Sequence, residues 1–211
     1  MKFLILMITV GLLTIACSEP KQPTIAFYPA VANGDLEQLK RHLFWQTDVN
    51  QAFADGDTAL HLAIKKGDPA IVEQLLTHGA KLNATDANGD QPLETALKHS
   101  RVRIAEYLIK SGAPFEGESL LASMVEAGVA DRDVYRLLAK HGTDFNAPIE
   151  DGATTPLLSA IKRGKPPVVK HLINNGANVN QPGADGVRPL ALAKQHNAVQ
   201  IIQLLEMNGA E

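Results

Sequence analysis

D-G-D-T-A-L-H-L-A-I-K-K-G-D-P-A-I-V-E-Q-L-L-T-H-G-A-K-L-N-A, from Asp55 to Ala84, decides the fold, because weaker copies of it lie before and after it. Gly56, Leu60, Gly79 and Ala80 recur as Gly89, Leu93, Gly112 and Ala113, each 33 residues later. A fixed period of that length, with two helices per unit, is the mark of stacked repeats. Within the unit, Leu60 to Ile64 predicts a short apolar helix ending near Gly67. Ala70 to Thr77 predicts a second, because Ile71, Val72, Leu75 and Leu76 fall on one helical face. Gly79 stands just past the last periodic residue, where a left-handed cap favours glycine. Lys81 to Asp90 then reads as an extended hairpin turning at Asn88-Gly89.

The residues T-A-L-H-L-A (Thr58 to Ala63), H-G-A-K-L-N-A (His78 to Ala84) and N-G-A-N-V-N (Asn175 to Asn180) resemble the ankyrin repeat family. The resemblance implies an all-α solenoid of helix-turn-helix units with short β-hairpin fingers, whose concave face binds a protein partner. It also implies that His61 ties neighbouring loops together through hydrogen bonds. Composition agrees with a helical array, with one Trp, 5% aromatic and 45% hydrophobic residues. Such a stack buries its core between neighbouring units rather than around one centre.

At the start, Met1-Lys2 and the apolar run Phe3 to Leu13 lead into T-I-A-C at Thr14 to Cys17. The run is too short to span a bilayer as a helix. It resembles a bacterial lipoprotein signal over residues 1–16, in which Cys17 is acylated and becomes the new N-terminus. Acyl chains contribute about 0.8 kcal/mol per buried CH₂, so several of them tether a protein permanently. Ser18 after the cysteine implies the outer membrane, with the array facing the periplasm. Thr14 stands where such signals usually carry leucine, which leaves ordinary cleavage near Ala16 and a soluble periplasmic protein as the alternative. Residues 17–26, with E-P-K-Q-P-T-I at Glu19 to Ile25, read as a linker that lifts the array off the bilayer.

The array itself divides into about six units, 27–54, 55–84, 85–115, 116–147, 148–180 and 181–211. Gln38 and His42 in the first unit stand where the second has Ile71 and Leu75, which predicts a polar outer cap; Trp45 is expected to seal that end. The fourth unit is irregular. Only nine residues separate Gly112 from Leu121, against fourteen from Gly79 to Leu93, so its finger is cut short and leaves a notch. Its helix-helix turn is longer by two, and Met124 replaces the alanine of Ala63, Ala96, Ala160 and Ala193, which should push its helices apart. In the sixth unit Lys194 and Glu206 take apolar positions, as a terminal unit requires, and the array is expected to end there.

Phosphate-loop, G-x-S-x-G and H-E-x-x-H patterns are missing from the sequence, and the seven histidines do not cluster at metal-ligand spacing. The expectation is therefore no catalytic residue, no cofactor, no metal and no small-molecule substrate. A net charge of -3, about -4 without the leader whose only charge is Lys2, argues against nucleic acid as a partner. Surface charge does form a pattern. The ends of the first helices carry Lys65, Lys66, Lys98, His99, Lys162 and Arg163, while the fingers carry Asp55, Asp57, Asp90 and Asp151. A basic floor beneath an acidic lip would steer a charged protein. Reversing Lys65, Lys66, Lys162 and Arg163 together is expected to abolish binding at nearly unchanged stability. The partner suggested is a toxin or lipase neutralised in the envelope; a resident stress or cell-wall enzyme is the alternative.

Overall fold

The computed structural model describes residues 19–149 and 154–211; the leader, Cys17, Glu150 and Asp151 lie outside them. The described residues form six helix pairs: α1 (Phe27–Ala32) with α2 (Leu36–Phe44), α3 (Ala59–Lys66) with α4 (Pro69–Thr77), and α5 (Pro92–Lys98) with α6 (Val102–Lys110). These are followed by α7 (Gly117–Ala127) with α8 (Arg132–Lys140), α9 (Pro156–Lys162) with α10 (Pro166–Asn174), and α11 (Pro189–Gln195) with α12 (Val199–Met207).

The second pair shows why helices form at this spacing. Thr58 caps α3, and Asp68 caps α4 by accepting from the amides of Ala70 and Ile71 at 3.0 and 3.1 Å. Pro69 opens α4 where no amide is needed. Gly67, at φ 75°, turns the chain between the two helices.

All of Ala59 to Ile64 is buried, so α3 is apolar around most of its surface and cannot exist without neighbours on both sides. Ala63, Ala96, Ala160 and Ala193 are fully buried and let successive first helices approach. One continuous core runs from Phe27 to Leu205. First helices pack more closely along the stack than second helices do, which curves the array with α1, α3, α5, α7, α9 and α11 inside.

The fingers are short hairpins around tight turns: Phe53 and Asp86 donate across the turn to the carbonyls of Asp57 and Asp90 at 2.8 and 3.0 Å, and Gly56 and Gly89 donate to the carbonyls of Phe53 and Asp86 at 3.0 Å. Antiparallel bridges pair Ala52 with Thr58 and Ile149 with Thr154 among the described residues. Aspartates keep the hairpins short, since Asp55, Asp86 and Asp185 each accept from the amide two residues on, satisfying backbone groups that a longer ladder would use.

In the fourth unit the missing finger is replaced by helix. α7 starts four residues ahead of Leu121, whereas α3 starts one ahead of Leu60. Gly117 opens it because a Cβ there would collide with the Thr143 side chain. Met124 is fully buried, and α7 and α8 approach each other less closely than the helices of the other pairs, as its bulk predicts. The longer turn is anchored by Tyr135, whose hydroxyl donates to the Val129 carbonyl at 2.8 Å.

At the first unit, Gln38 and His42 hold the linker instead of facing water. Gln38 exchanges hydrogen bonds with Thr24 at 2.9 and 2.8 Å, and His42 Nε2 donates to the Ile25 carbonyl at 2.8 Å. At the other end Lys194 and Glu206 pair across α11 and α12 at 3.8 Å.

Asparagines clamp some units to the next. Asn146 donates to the Gly176 carbonyl at 3.0 Å and accepts from the Asn178 amide at 2.7 Å; Asn50 and Asn180 do the same to Gly79 and Lys81 and to Gly209 and Glu211. Asn83 occupies the same register, but the residue that would donate to it is Pro114, which has no N–H. Asn146→Ala is expected to lower stability by about 1–2 kcal/mol in urea unfolding, the value of two net hydrogen bonds, while Asn83→Ala stays near neutral.

Candidate protein-binding face

The row of cations predicted on the first helices is present, at the last turn of α3, α5 and α9. It is not a free row. Lys65 Nζ lies 2.6 Å from Asp57 Oδ1 and 3.1 Å from Asp86 Oδ2, and Lys98 Nζ lies 2.6 Å from Asp90 Oδ1 and 3.1 Å from Glu94 Oε1. Side chains on a helix lean toward its N-terminus, so both lysines fold back to the base of the fingers. Asp57, Asp86 and Asp90 are buried there. Burial works against the charge of Lys65, but its hydrogen bonds to Asp57 and Asp86 outweigh it and hold the amine above the ordinary lysine range. Burial likewise opposes ionisation of Asp86, and the amides of Asn88 and Asp90 together with Lys65 outweigh it, keeping the carboxyl below its usual range.

Floor and lip therefore neutralise each other at the second and third units, which corrects the expectation that reversing Lys65 leaves stability unchanged. Lys66, His99, Lys162 and Arg163 remain exposed, as does Asp55. Asp55 is partly committed to the Asp57 amide at 3.1 Å, and Arg163 leans on the well-exposed Glu126 at 3.5 Å. Asp151 lies outside the described residues. Asp86 is one of the finger carboxylates the sequence offered, while Glu94, which also accepts from the Ser123 hydroxyl, is a partner the sequence did not single out.

Beside this row the truncated finger does leave a notch. It is a cavity of about 120 Å³, room for one side chain, lined by Gln91, Glu94, Pro114, Glu116 and Ser119. On the convex side a larger groove of about 670 Å³ separates α4 from α6, with Val72, Val102 and Tyr107 on its walls and Arg101 and Arg103 beside Asp131 and Asp133. Arg101 creates it in part. It stands where α4 and α8 have the capping Asp68 and Asp131, and reaches over Gly67 to donate to the Lys65 carbonyl at 3.0 Å.

His61 is fully buried and bridges two units, accepting at Nδ1 from Thr58 Oγ1 at 2.8 Å and donating from Nε2 to the Asp90 carbonyl at 3.0 Å. That is the tie the sequence implied. Burial lowers its pKa, so the neutral ring is the folded form. His78 and His141 sit at the C-caps of α4 and α8, apart from any such bridge.

Two outcomes follow from these pairings. Lys65→Glu puts three carboxylates together and is expected to cost about 2 kcal/mol in a denaturation curve, whereas Lys66→Glu, Lys162→Glu and Arg163→Glu leave the midpoint unchanged. For His61 the unfolded ring takes up a proton near its ordinary pKa while the folded ring resists. Stability is thus complete above about pH 6.5 and falls as the pH drops below it. His61→Gln, which cannot titrate, should show a flatter stability profile between pH 7.5 and 5 than the wild-type chain.

A family model described as ankyrin repeats, in three copies, matches residues 27–118 and again 121–211. The structure is similar to the ankyrin repeat domain of Bcl-3, with 25% identity, a TM-score of 0.72, and 90% of this chain and 89% of that one covered. It is also similar to an ankyrin repeat domain from Acinetobacter baumannii AYE, with 29% identity, a TM-score of 0.65, and 86% and 96% covered. A chain in the complex of the predatory endopeptidase Bd0816 from Bdellovibrio bacteriovorus with immunity protein Bd3460 has the same fold, with 23% identity, a TM-score of 0.67, and 89% and 99% covered. No curated protein sequence gives a significant match.

Proposed function

The chain belongs to the ankyrin-repeat family, a family of protein-interaction scaffolds, and on that premise we propose that it is an immunity protein of a bacterial envelope. In this reading the concave face neutralises a secreted hydrolase, and a lipid on Cys17 holds the array at the periplasmic side of the outer membrane. The observation that carries the binding role is the split in the cation row. Lys65 and Lys98 are tied up by the fold, while Lys66, Lys162 and Arg163 stand exposed at the ends of the inner helices; His99 is exposed too, but burial and the neighbouring Lys65 and Arg101 hold its pKa below the ordinary histidine value. Exposed cations along the inner helices suit a partner with an acidic surface.

The neutralising role is supported by the complex from Bdellovibrio, in which an immunity protein is bound to an endopeptidase. The anchor is supported by the T-I-A-C sequence before Ser18.

The direct test is protection. Cells carrying the wild-type gene should survive a periplasm-targeted hydrolase encoded beside it. Cells carrying Lys66→Glu, Lys162→Glu and Arg163→Glu together should not, although the triple variant melts with the wild-type midpoint. Equal survival with the triple variant removes the cation row from the binding face, and failure of the wild-type chain to protect or to inhibit the purified hydrolase removes the immunity role.

A further inference from the structure

Exposed large apolar side chains are unevenly distributed along the stack. Ile25, Tyr28, Phe44 and Trp45, between 36% and 51% exposed, lie in or directly beside the first helix pair, against Tyr107 in the middle and Val199 and Met207 in the last helix. Phe44 and Trp45 form one exposed pair at the end of α2, packed edge-on at 5.6 Å; the Ile25 carbonyl is held by His42 of the same helix, whereas Tyr28 turns to Phe53 at 4.9 Å. A patch that includes a tryptophan at the end of a stack, where sealing would bury it, is instead open to solvent.

The chain leading into this end is short and fastened. Thr24 is bonded to Gln38 twice and Ile25 to His42, so only the six residues 18–23 separate Cys17 in sequence from the fastened chain. Six residues reach at most about 20 Å when fully extended. The linker therefore does not lift the array far from its attachment point.

We infer that the first repeat docks on the lipid bilayer, with Phe44 and Trp45 entering the boundary between headgroups and acyl chains. This rests on the lipid anchor at Cys17 proposed above. Tryptophan and tyrosine suit that boundary because an apolar ring and a polar N–H or O–H are both satisfied there. The charges around the patch balance, with Lys21, Lys40 and Arg41 against Glu19, Glu37 and Asp48. The contact is thus apolar rather than an attraction to anionic lipid.

Trp45 is the only tryptophan, so its fluorescence reports this contact alone. The full-length gene product, isolated from membranes and reconstituted in phosphatidylcholine vesicles, should emit at shorter wavelength. It should lose more than about half its intensity when the acyl chains are brominated, with no dependence on salt. Phe44→Ser should weaken the quenching without changing the melting temperature. A chain that sediments with the vesicles while Trp45 emits as it does in buffer overturns the inference. So does a blue shift that follows protein concentration without vesicles, which marks contact between copies. A mass showing an unmodified thiol at Cys17 defeats the anchor separately; that thiol, the only one in the chain, is then coupled to a maleimide-bearing lipid and the same readout decides the docking.

Discussion

Adjacent helix pairs share their apolar faces, and neither partner has another way to remove those faces from water. The first helices make this plainest, since α3 and α9 bury every residue from Ala59 to Ile64 and from Pro156 to Ile161. A fully buried leucine or isoleucine contributes about 1.5–3 kcal/mol by leaving water, and here that burial is shared between the two helices of a pair and the pairs on either side. A single pair of 6–11-residue helices would not be stable alone. Stability, curvature and the free concave wall are consequences of that one constraint.

The same constraint limits which charges can serve a partner. Where the finger of one repeat folds over the helix of its own or the preceding repeat, it brings carboxylates into a half-buried gap, and the cheapest way to keep them ionised is a lysine from that helix. Lys65 satisfies Asp57 from its own repeat and Asp86 from the next, so one side chain joins two units. Lys162 stands in the register of Lys65 and Lys98, but Thr154 and Gly183 take the places of the finger aspartates, and it stays exposed. The division between structural and available cations at this position thus follows from which residues the fingers carry.

The fourth unit shows how the stack absorbs an irregularity. Losing the finger frees residues that extend α7, and the longer turn after Gly128 is fixed by the buried Tyr135 hydroxyl. The fully buried Met124 fills the space that the separated helices open. The clamps formed by Asn50, Asn146 and Asn180 are absent from the second-to-third junction, because Pro114 cannot donate. The convex groove lies beside that junction, between α4 and α6. The second-to-third junction is held instead by apolar packing, the Lys65–Asp86 pair, the His61 bond to the Asp90 carbonyl and Arg101 reaching over Gly67, while the first-to-second, fourth-to-fifth and fifth-to-sixth junctions carry the asparagine clamps.

The 33-residue period by itself determined the helix pairs, their order and the cut finger, and side-chain size the spread helices around Met124; the bridging role of His61 was implied by the likeness of T-A-L-H-L-A to the ankyrin repeat. Those features depend on local spacing and on side-chain size, which are written along the chain. Only the tertiary structure decided that Lys65 and Lys98 are committed to Asp57, Asp86, Asp90 and Glu94. It also decided that Gln38 and His42 fasten the linker and that Trp45 is left open. Each of these joins residues from different elements or depends on what a neighbouring element leaves uncovered, and a row of residue types records charge and shape but not the distances between them.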